Sequence, residues 1–262
     1  MSLIHAINWL YTLSGFFVGA LVGMTGVGGG SLMTPILILL FGIHPATAVG
    51  TDLLYAAVTK TGGTLIHGLN HTIDWRIVGR LATGSVPMTA LTLFVLSKFD
   101  LTAIGSAKLI TFTLGLALLA TALSLIFRAR LSTLYAKRVG ELSAGRTAML
   151  TILTGAILGV LVSITSVGAG ALGVTALILL YPRLPTARIV GSDIVHAVPL
   201  TLIAGMGHWL IGSIDTGILG SLLLGSIPGI VAGSFLAVRV PDLVLRLTLA
   251  AVLVIVGGRL VL

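Results

Sequence analysis

The sequence predicts an all-α polytopic membrane protein built from two homologous repeats. Of its 262 residues, 56% are hydrophobic and 8% are charged, and the mean hydropathy is +1.17. Soluble domains carry about 25% charged residues. Apolar stretches of membrane-spanning length recur along the chain. A rare glycine-rich pattern also occurs twice, 140 to 141 residues apart, which indicates a duplication.

The glycine-rich pattern interrupts apolar sequence in each half. The first copy reads Thr25-Gly-Val-Gly-Gly-Gly-Ser31, and the second reads Thr165-Ser-Val-Gly-Ala-Gly-Ala171. Glycine runs hold a regular helix poorly, so each copy is expected to break a membrane helix. Non-helical backbone at membrane depth persists only where protein or a cavity surrounds it. Two breaks at matching positions point to the binding site of a secondary transporter.

The two halves also match in order beyond these breaks. A colinear series of this length predicts an internal duplication. The matching positions are Pro45 with Pro185, Gly50-Thr51-Asp52 with Gly191-Ser192-Asp193, His67 with His208, Asp74 with Asp215, and Gly84-Ser85-Val86-Pro87 with Gly225-Ser226-Ile227-Pro228.

Each half is predicted to contain one glycine-broken segment, re-entrant or short-helical, and three transmembrane helices. The broken segments are 9–41 and 147–181. The spans are 46–68, 73–97 and 103–127, followed by 186–209, 215–238 and 241–261. The chain is therefore divided into a first repeat, 1–127, a basic cytoplasmic linker, 128–146, and a second repeat, 147–262.

The distribution of basic residues favours inverted repeats. If each broken segment turns back at its glycines, only three basic residues lie outside, namely Lys98, Lys108 and Arg259. If each segment crosses the membrane, the repeats are parallel and six basic residues lie outside, namely Lys98, Lys108 and four arginines of the second half. By the positive-inside rule, basic residues concentrate in the cytoplasmic loops of membrane proteins. The rule favours the inverted arrangement, and the crossing arrangement is the alternative. The same rule accounts for the net charge of +8 without a nucleic-acid partner.

Candidate substrate-binding residues lie at the two breaks. An unwound turn followed by a helix start presents free backbone N–H groups and the positive end of a helix dipole. These features bind anions. Close helix packing through small residues is the alternative interpretation. The candidate residues are Thr25, Gly28, Gly29, Gly30, Ser31, Thr165, Ser166, Gly168, Gly170 and Ala171.

A second set of polar residues lies within the predicted spans and is a candidate for proton coupling or a polar relay. The set is Thr51, Asp52, Lys60, His67, Ser192, Asp193 and His208. An ionisable residue inside a span indicates function by default, and histidine titrates near neutral pH. Structural roles stay open, with Arg188 as a candidate partner of Asp193. Asp74 and Asp215 each precede a helix and are expected to be N-caps.

At these residues the chain resembles the TauE/SafE sulfite-exporter family of anion permeases. The resemblance rests on Gly26-Val-Gly-Gly-Gly-Ser31 with Pro35 following, on Pro45-Ala-Thr-Ala-Val-Gly-Thr51, and on their second-half counterparts. It covers nearly the whole chain. It implies export or passage of small sulfur-containing anions, such as sulfite or organosulfonates, without ATP, across a bacterial or archaeal plasma membrane.

Together these features predict a multi-pass secondary transporter of the cell membrane for small sulfur-containing anions, coupled to protons or running downhill. An anion channel and a permease for another small anion, such as a carboxylate, are the alternatives. An enzyme is not expected, because no HExxH motif and no catalytic spacing of serine and histidine occur. No cofactor or metal ion is expected either. The expected partners are the anion, the lipid bilayer and protons, and a homodimer stays open.

Overall fold

The computed structural model describes residues 8–25, 30–69, 71–101, 103–138, 143–237 and 241–262, and within them the chain is helical without strands. The helices are α1 (Trp9–Thr25), α2 (Gly30–Leu39), α3 (Pro45–Leu69), α4 (Trp75–Leu96), α5 (Ile104–Arg138), α6 (Ala144–Thr165), α7 (Ala171–Leu180), α8 (Thr186–Leu210), α9 (Thr216–Ala237) and α10 (Asp242–Val261). Six of the described helices are long and apolar enough to cross a membrane: α4, α5, α6, α8, α9 and α10. The predicted class, a polytopic helical membrane protein, is confirmed.

The first five helices and the last five follow a similar succession of lengths. Helices α2 and α7 have 10 residues each, α3 and α8 have 25, and α4 and α9 have 22. Helix α6 has 22 residues and is by itself long enough to cross a membrane. The sequence assigned it, together with α7, to a single broken segment. Length alone therefore does not distinguish a broken segment from a full span.

Helix α5 extends into the stretch that the sequence assigned to a linker. It continues to Arg138, so the basic segment 128–146 begins as helix. Alanine, leucine, lysine and arginine are strong helix formers, and no glycine or proline interrupts the segment before Gly140. Helix α6 then begins at Ala144, where the Ser143 hydroxyl accepts a hydrogen bond from the Arg146 N–H at 3.4 Å.

Helices from opposite halves pack along each other through glycines. Helix α1 packs on α9, and α4 packs on α6. Gly15 lies against the backbone of Leu222, and Gly23, further along α1, lies against Ile230, so α1 and α9 run parallel. Glycines on α6 contact α4 in the same parallel order. Small residues allow such close approach of membrane helices.

Helices α3 and α8 run antiparallel against each other. Near one end of the pair Gly205 lies against Leu54, and near the other end Gly63 lies against Ile194. Helix α3 also packs on α2, α5, α6 and α9, and α8 packs on α4, α6 and α7. The two helices therefore contact elements of both halves, and most of the candidate polar residues lie on them.

The N-cap predictions for Asp74 and Asp215 are confirmed. Each carboxylate accepts hydrogen bonds from the backbone N–H groups two and three positions further on. The backbone N–H of Asp74 donates to the Ser192 hydroxyl at 2.9 Å, and that of Asp215 donates to the Thr51 hydroxyl at 3.2 Å. Each cap is thereby tied to a helix of the other half.

The α1–α9 contact predicts that Gly225→Leu destabilises the protein. A Cβ at Gly225 would collide with the Thr12 carbonyl, and overpacking of this kind costs about 1–3 kcal/mol or more. Gly220→Leu, on the same helix but facing open space, is the matched control. Thermal unfolding of the purified protein in detergent should show a lower midpoint for Gly225→Leu only. Equal midpoints would contradict the contact.

Candidate functional site

The second glycine-rich segment is a stretch of non-helical backbone between α6 and α7. Helix α6 ends at Thr165, and Ser166 adopts a left-handed conformation with φ of 59°. Gly168 and Gly170 have φ of 126° and 129°, which L side chains rarely adopt. Helix α7 begins at Ala171. The two glycines therefore form a turn in which the backbone of any other residue would be strained.

The start of α7 presents backbone N–H groups to the bundle interior. The N–H of Gly173 donates to Gly168 O at 3.2 Å, and that of Val174 donates to Gly170 O at 2.8 Å. The N–H groups of the first two residues, Ala171 and Leu172, have no partner within the helix by construction. An N-terminus of this kind carries partial positive charge.

The hydroxyls of the second break have different partners. The Thr165 hydroxyl donates to Leu161 O at 2.7 Å and accepts from the Val167 N–H at 3.1 Å, so it stabilises the turn itself. The Ser166 hydroxyl is buried beside the Asp52 carboxyl. It has no partner of good hydrogen-bond geometry among the described residues. Of these two candidates, Ser166 is the one with an unused hydroxyl.

The first break is described only at its two ends. Thr25 is the last residue of α1 and Gly30 is the first of α2, while Gly28 and Gly29 lie outside the described residues. Ser31 lies half-buried in the first turn of α2. The side chain at the end of that turn, Thr34, is fully buried and donates its hydroxyl to Asp52.

Asp52 and Asp193 each face the first turn of one short helix. Both are 0% exposed. Oδ2 of Asp52 accepts from the Thr34 hydroxyl of α2 at 2.5 Å. The Asp193 carboxyl lies against Gly173 of α7, where an added Cβ would collide with Oδ1, and the Gly170 N–H is nearby. Among the described residues, neither oxygen of Asp193 has a partner of good hydrogen-bond geometry.

Lys60 joins the second break to both carboxyls. Its Nζ, on α3, donates to the Ala169 carbonyl within the break at 3.0 Å, and the side chain is 7% exposed. Its charge interacts with Asp193 and with Asp52. The sequence suggested Arg188 as the partner of Asp193, whereas in the structure Lys60 and Arg128 interact with it electrostatically. A buried cation, two buried carboxyls and a helix N-terminus therefore lie together.

The remaining candidates of the polar set bond at helix ends. His67 Nδ1 hydrogen-bonds the Thr72 hydroxyl at 2.8 Å, and the His208 ring N–H donates to Ser163 O of α6 at 2.9 Å. The Thr51 and Ser192 hydroxyls accept from the loop N–H groups described above. The equivalent histidines, His67 and His208, therefore have different partners, whereas the equivalent hydroxyls of Thr51 and Ser192 both accept from the N–H of an N-cap aspartate.

Sequence reasoning missed a symmetric pair of buried contacts. The Tyr55 hydroxyl donates to Ser226 Oγ at 2.9 Å, and His196 Nε2 hydrogen-bonds Ser85 Oγ at 2.8 Å. Both serines belong to the Gly-Ser-x-Pro motif of the opposite half. Tyr55 and His196 are separated by the same 141 positions as Asp52 and Asp193, so the duplication itself contained the signal.

Comparison with known proteins identifies the family. The family model of the sulfite exporter TauE/SafE matches residues 11–260. The chain belongs to this family. It is 40% identical to the probable membrane transporter protein YjnA of Bacillus subtilis, over 80% of this chain and 82% of that protein. A probable membrane transporter protein of Xylella fastidiosa is 28% identical over the same shares. No solved structure matches the chain.

The TauE/SafE chain is accordingly a multi-pass membrane transporter. The family model and the relatives agree with the six membrane-spanning helices. A transporter role is also consistent with the expectation that the protein is not an enzyme. Within the described ranges, no group of three histidine, aspartate or glutamate side chains is arranged to hold a metal ion.

The Thr34–Asp52 contact predicts that Thr34→Val destabilises the protein. Valine keeps the shape but removes the donor, which leaves a buried carboxyl oxygen unpaired at a cost of about 1–3 kcal/mol. Thr61→Val is the matched control, because Thr61 is exposed and its hydroxyl donates to the Ala57 carbonyl of its own helix, its one partner among the described residues. The unfolding midpoint should fall for Thr34→Val and stay for Thr61→Val. The reverse order would contradict the role of Thr34.

Proposed function

We propose that the protein is a secondary transporter that exports small sulfur-containing anions, sulfite or an organosulfonate, and binds them between the two helix breaks. The contact of Lys60 with the Ala169 carbonyl is the observation that carries the proposal. It brings a buried ammonium to the start of α7, where free N–H groups already favour an anion. A lysine at membrane depth is energetically costly, and its presence there indicates a function by default.

The proposed binding set combines one side-chain cation with backbone donors. Lys60 supplies the full charge, and the N–H groups of Gly170, which precedes α7, and of Ala171 and Leu172 supply hydrogen bonds. Ser166 contributes a buried hydroxyl without a partner among the described residues. We propose that the first break forms the opposite side of the binding site, with Gly28, Gly29, Gly30 and Ser31. Three oxygens of a sulfite or sulfonate group suit several donors arranged around one point.

The substrate class comes from the family. The description of the matching family model is that of a sulfite exporter, and the relatives are described as probable membrane transporters. Proton coupling is part of the proposal, because Asp52 and Asp193 lie beside the proposed site. A channel made of the same residues would conduct the anion at a rate that does not saturate with anion concentration. The uptake measurement below distinguishes this channel from a transporter.

We further propose that the two halves are inverted repeats and that each broken segment turns back at its glycines. The antiparallel packing of the equivalent helices α3 and α8 supports inversion, because parallel repeats would place them parallel. Helices α8 and α9 are joined by the short connection 211–215, so α9 runs opposite to α8 and thus along α3. Helix α1 runs parallel to α9 and therefore in the direction of α3. A return arm between α1 and α3 is then required, and α2 fits it.

The site proposal predicts that Gly170→Leu abolishes transport. The substitution strains the turn and fills the start of α7. Gly212→Leu is the matched control, because Gly212 also has a positive φ, of 75°, but faces open space away from the breaks. Uptake of radiolabelled sulfite and ethanesulfonate into proteoliposomes should be saturable for the wild type. It should fall to the background of protein-free vesicles for Gly170→Leu while Gly212→Leu keeps flux. Normal flux in correctly inserted Gly170→Leu would refute the site.

The repeat proposal predicts the side of one loop. The chain has no cysteine, so single cysteines can be labelled cleanly. Arg183→Cys, exposed between α7 and α8, should react with a membrane-impermeant maleimide only after permeabilisation of the cells. Lys98→Cys should react in intact cells and serves as the positive control, since both arrangements place it outside. Labelling of Arg183→Cys in intact cells would instead establish parallel repeats.

A further inference from the structure

The two equivalent carboxyls, Asp52 and Asp193, differ in their surroundings. Asp52 receives a hydrogen bond from the Thr34 hydroxyl at 2.5 Å and has the Ser166 hydroxyl beside it. Asp193 is equally buried, yet within the described part of the chain neither of its oxygens has a partner of good hydrogen-bond geometry. Gly173 of α7 lies against Oδ1 and has no side chain that could donate to it. The stabilisation of an ionised Asp193 therefore depends on nearby charge and on the backbone N–H of Gly170, and not on a side-chain hydroxyl.

Lys60 is the buried cation that both carboxyls share. The charge of Lys60 interacts with both Asp193 and Asp52. Among the described residues, Arg128 of α5 also interacts electrostatically with Asp193, and Asp52 of α3 shares the lysine with it. His196, three positions further along α8, bonds Ser85 of α4 and also interacts with Lys60. Helix α7 contributes only backbone at Gly170 and Gly173.

A bound anion would change this charge balance. An anion held by the start of α7 and Lys60 becomes the counter-ion of that lysine. The Asp193 carboxylate would then be a second negative charge in the same desolvated space, which is strongly unfavourable unless it is neutralised. Asp52 keeps the hydroxyl donor Thr34 in either case. The least costly response is that Asp193 takes up one proton from the bulk solution, relayed by water that enters with the substrate, so that an O–H bond forms on the carboxylate while the anion stays intact.

We propose that Asp193 is the proton carrier of the transporter and that Asp52, its counterpart in the first half, is a structural residue. Lys60 exchanges the Asp193 carboxylate for the substrate anion, so one proton binds and moves with each monovalent anion in the same direction. Net export then occurs where the outward gradient of the anion exceeds the inward gradient of protons. The inference rests on the proposed function, since it requires an anion at Lys60. Beyond that function, the inference states that Asp193 carries the proton and that Asp52 does not, because Asp52 keeps the hydroxyl donor Thr34.

The test compares Asp193→Asn with Asp52→Asn in proteoliposomes. The probe is radiolabelled ethanesulfonate, because its sulfonate group does not titrate near neutral pH and cannot itself carry the proton. One proton per monovalent anion is electroneutral, so a gradient of one pH unit, acid outside, should raise the accumulation about tenfold. Each variant is measured with and without the gradient, and the ratio of the two accumulations is the readout. Differences in reconstitution between variants then cancel.

The wild type and Asp52→Asn should show a ratio of about ten, and Asp193→Asn a ratio of about one with ethanesulfonate exchange still measurable. A ratio of about ten in Asp193→Asn would overturn the proposal. Loss of the response in Asp52→Asn alone would also overturn it, because the roles would then be reversed. Saturable wild-type flux with a ratio of one would refute the coupling and leave the transporter intact. No wild-type flux at all would refute both.

A second measurement on the wild type keeps the proposal testable if Asp193→Asn does not fold. Ethanesulfonate is added to the purified protein in weakly buffered detergent solution containing a pH-sensitive dye. About one proton should be taken up per bound anion. Infrared difference spectra should show the carbonyl band of a new carboxylic acid, retained in Asp52→Asn. Binding without proton uptake would overturn the proposal.

Discussion

Backbone that leaves a helix inside an apolar bundle must find its hydrogen-bond partners within the protein. The arrangement of the buried polar side chains around the second break depends on that constraint. At the second break Lys60 bonds the Ala169 carbonyl, and Ser124 donates to the Ala171 carbonyl at 3.1 Å. The Thr165 hydroxyl bonds the turn at Val167. The non-helical backbone at the second break is therefore held by buried polar side chains, and Lys60, one of them, is also part of the proposed binding set.

The contacts between halves suggest which helices move together. Tyr55 of α3 bonds Ser226 of α9, and His196 of α8 bonds Ser85 of α4. Thr51 and Ser192 tie the same two helices to the loops that precede α9 and α4. Helix α3 is thus fastened to the second half and α8 to the first. Any movement that exposes the breaks to alternate sides must either carry α3 with α9 or break buried bonds, and the first is the less costly.

Much of the fold followed from the sequence because its physical signals are strong. Hydropathy identified five of the six predicted spans. The helix at the sixth, α3, is not among the described helices that are apolar enough to cross a membrane, whereas α6, which was assigned to a broken segment, is. The position of Asp74 before a helix identified an N-cap that the structure confirms. The contacts of side chains could not be derived in this way, because a helix that is apolar all round gives no periodic signal for its facing direction. Arg188 was the closest basic residue along the sequence to Asp193, whereas Lys60, from the other half, interacts with it in space. Thr34 gave no signal at all, since an isolated threonine in an apolar helix is common.

The most direct test of an anion site between the helix breaks is to locate the anion. Selenite has the shape and charge of sulfite, and its selenium scatters anomalously, so crystals of the protein grown with selenite would reveal its position. The anomalous peak should lie within hydrogen-bonding distance of Lys60 Nζ and of the first N–H groups of α7. A peak found only elsewhere, for example in the cavity lined by His44, Thr47, Ser97 and Asp100, would contradict an anion site at the breaks.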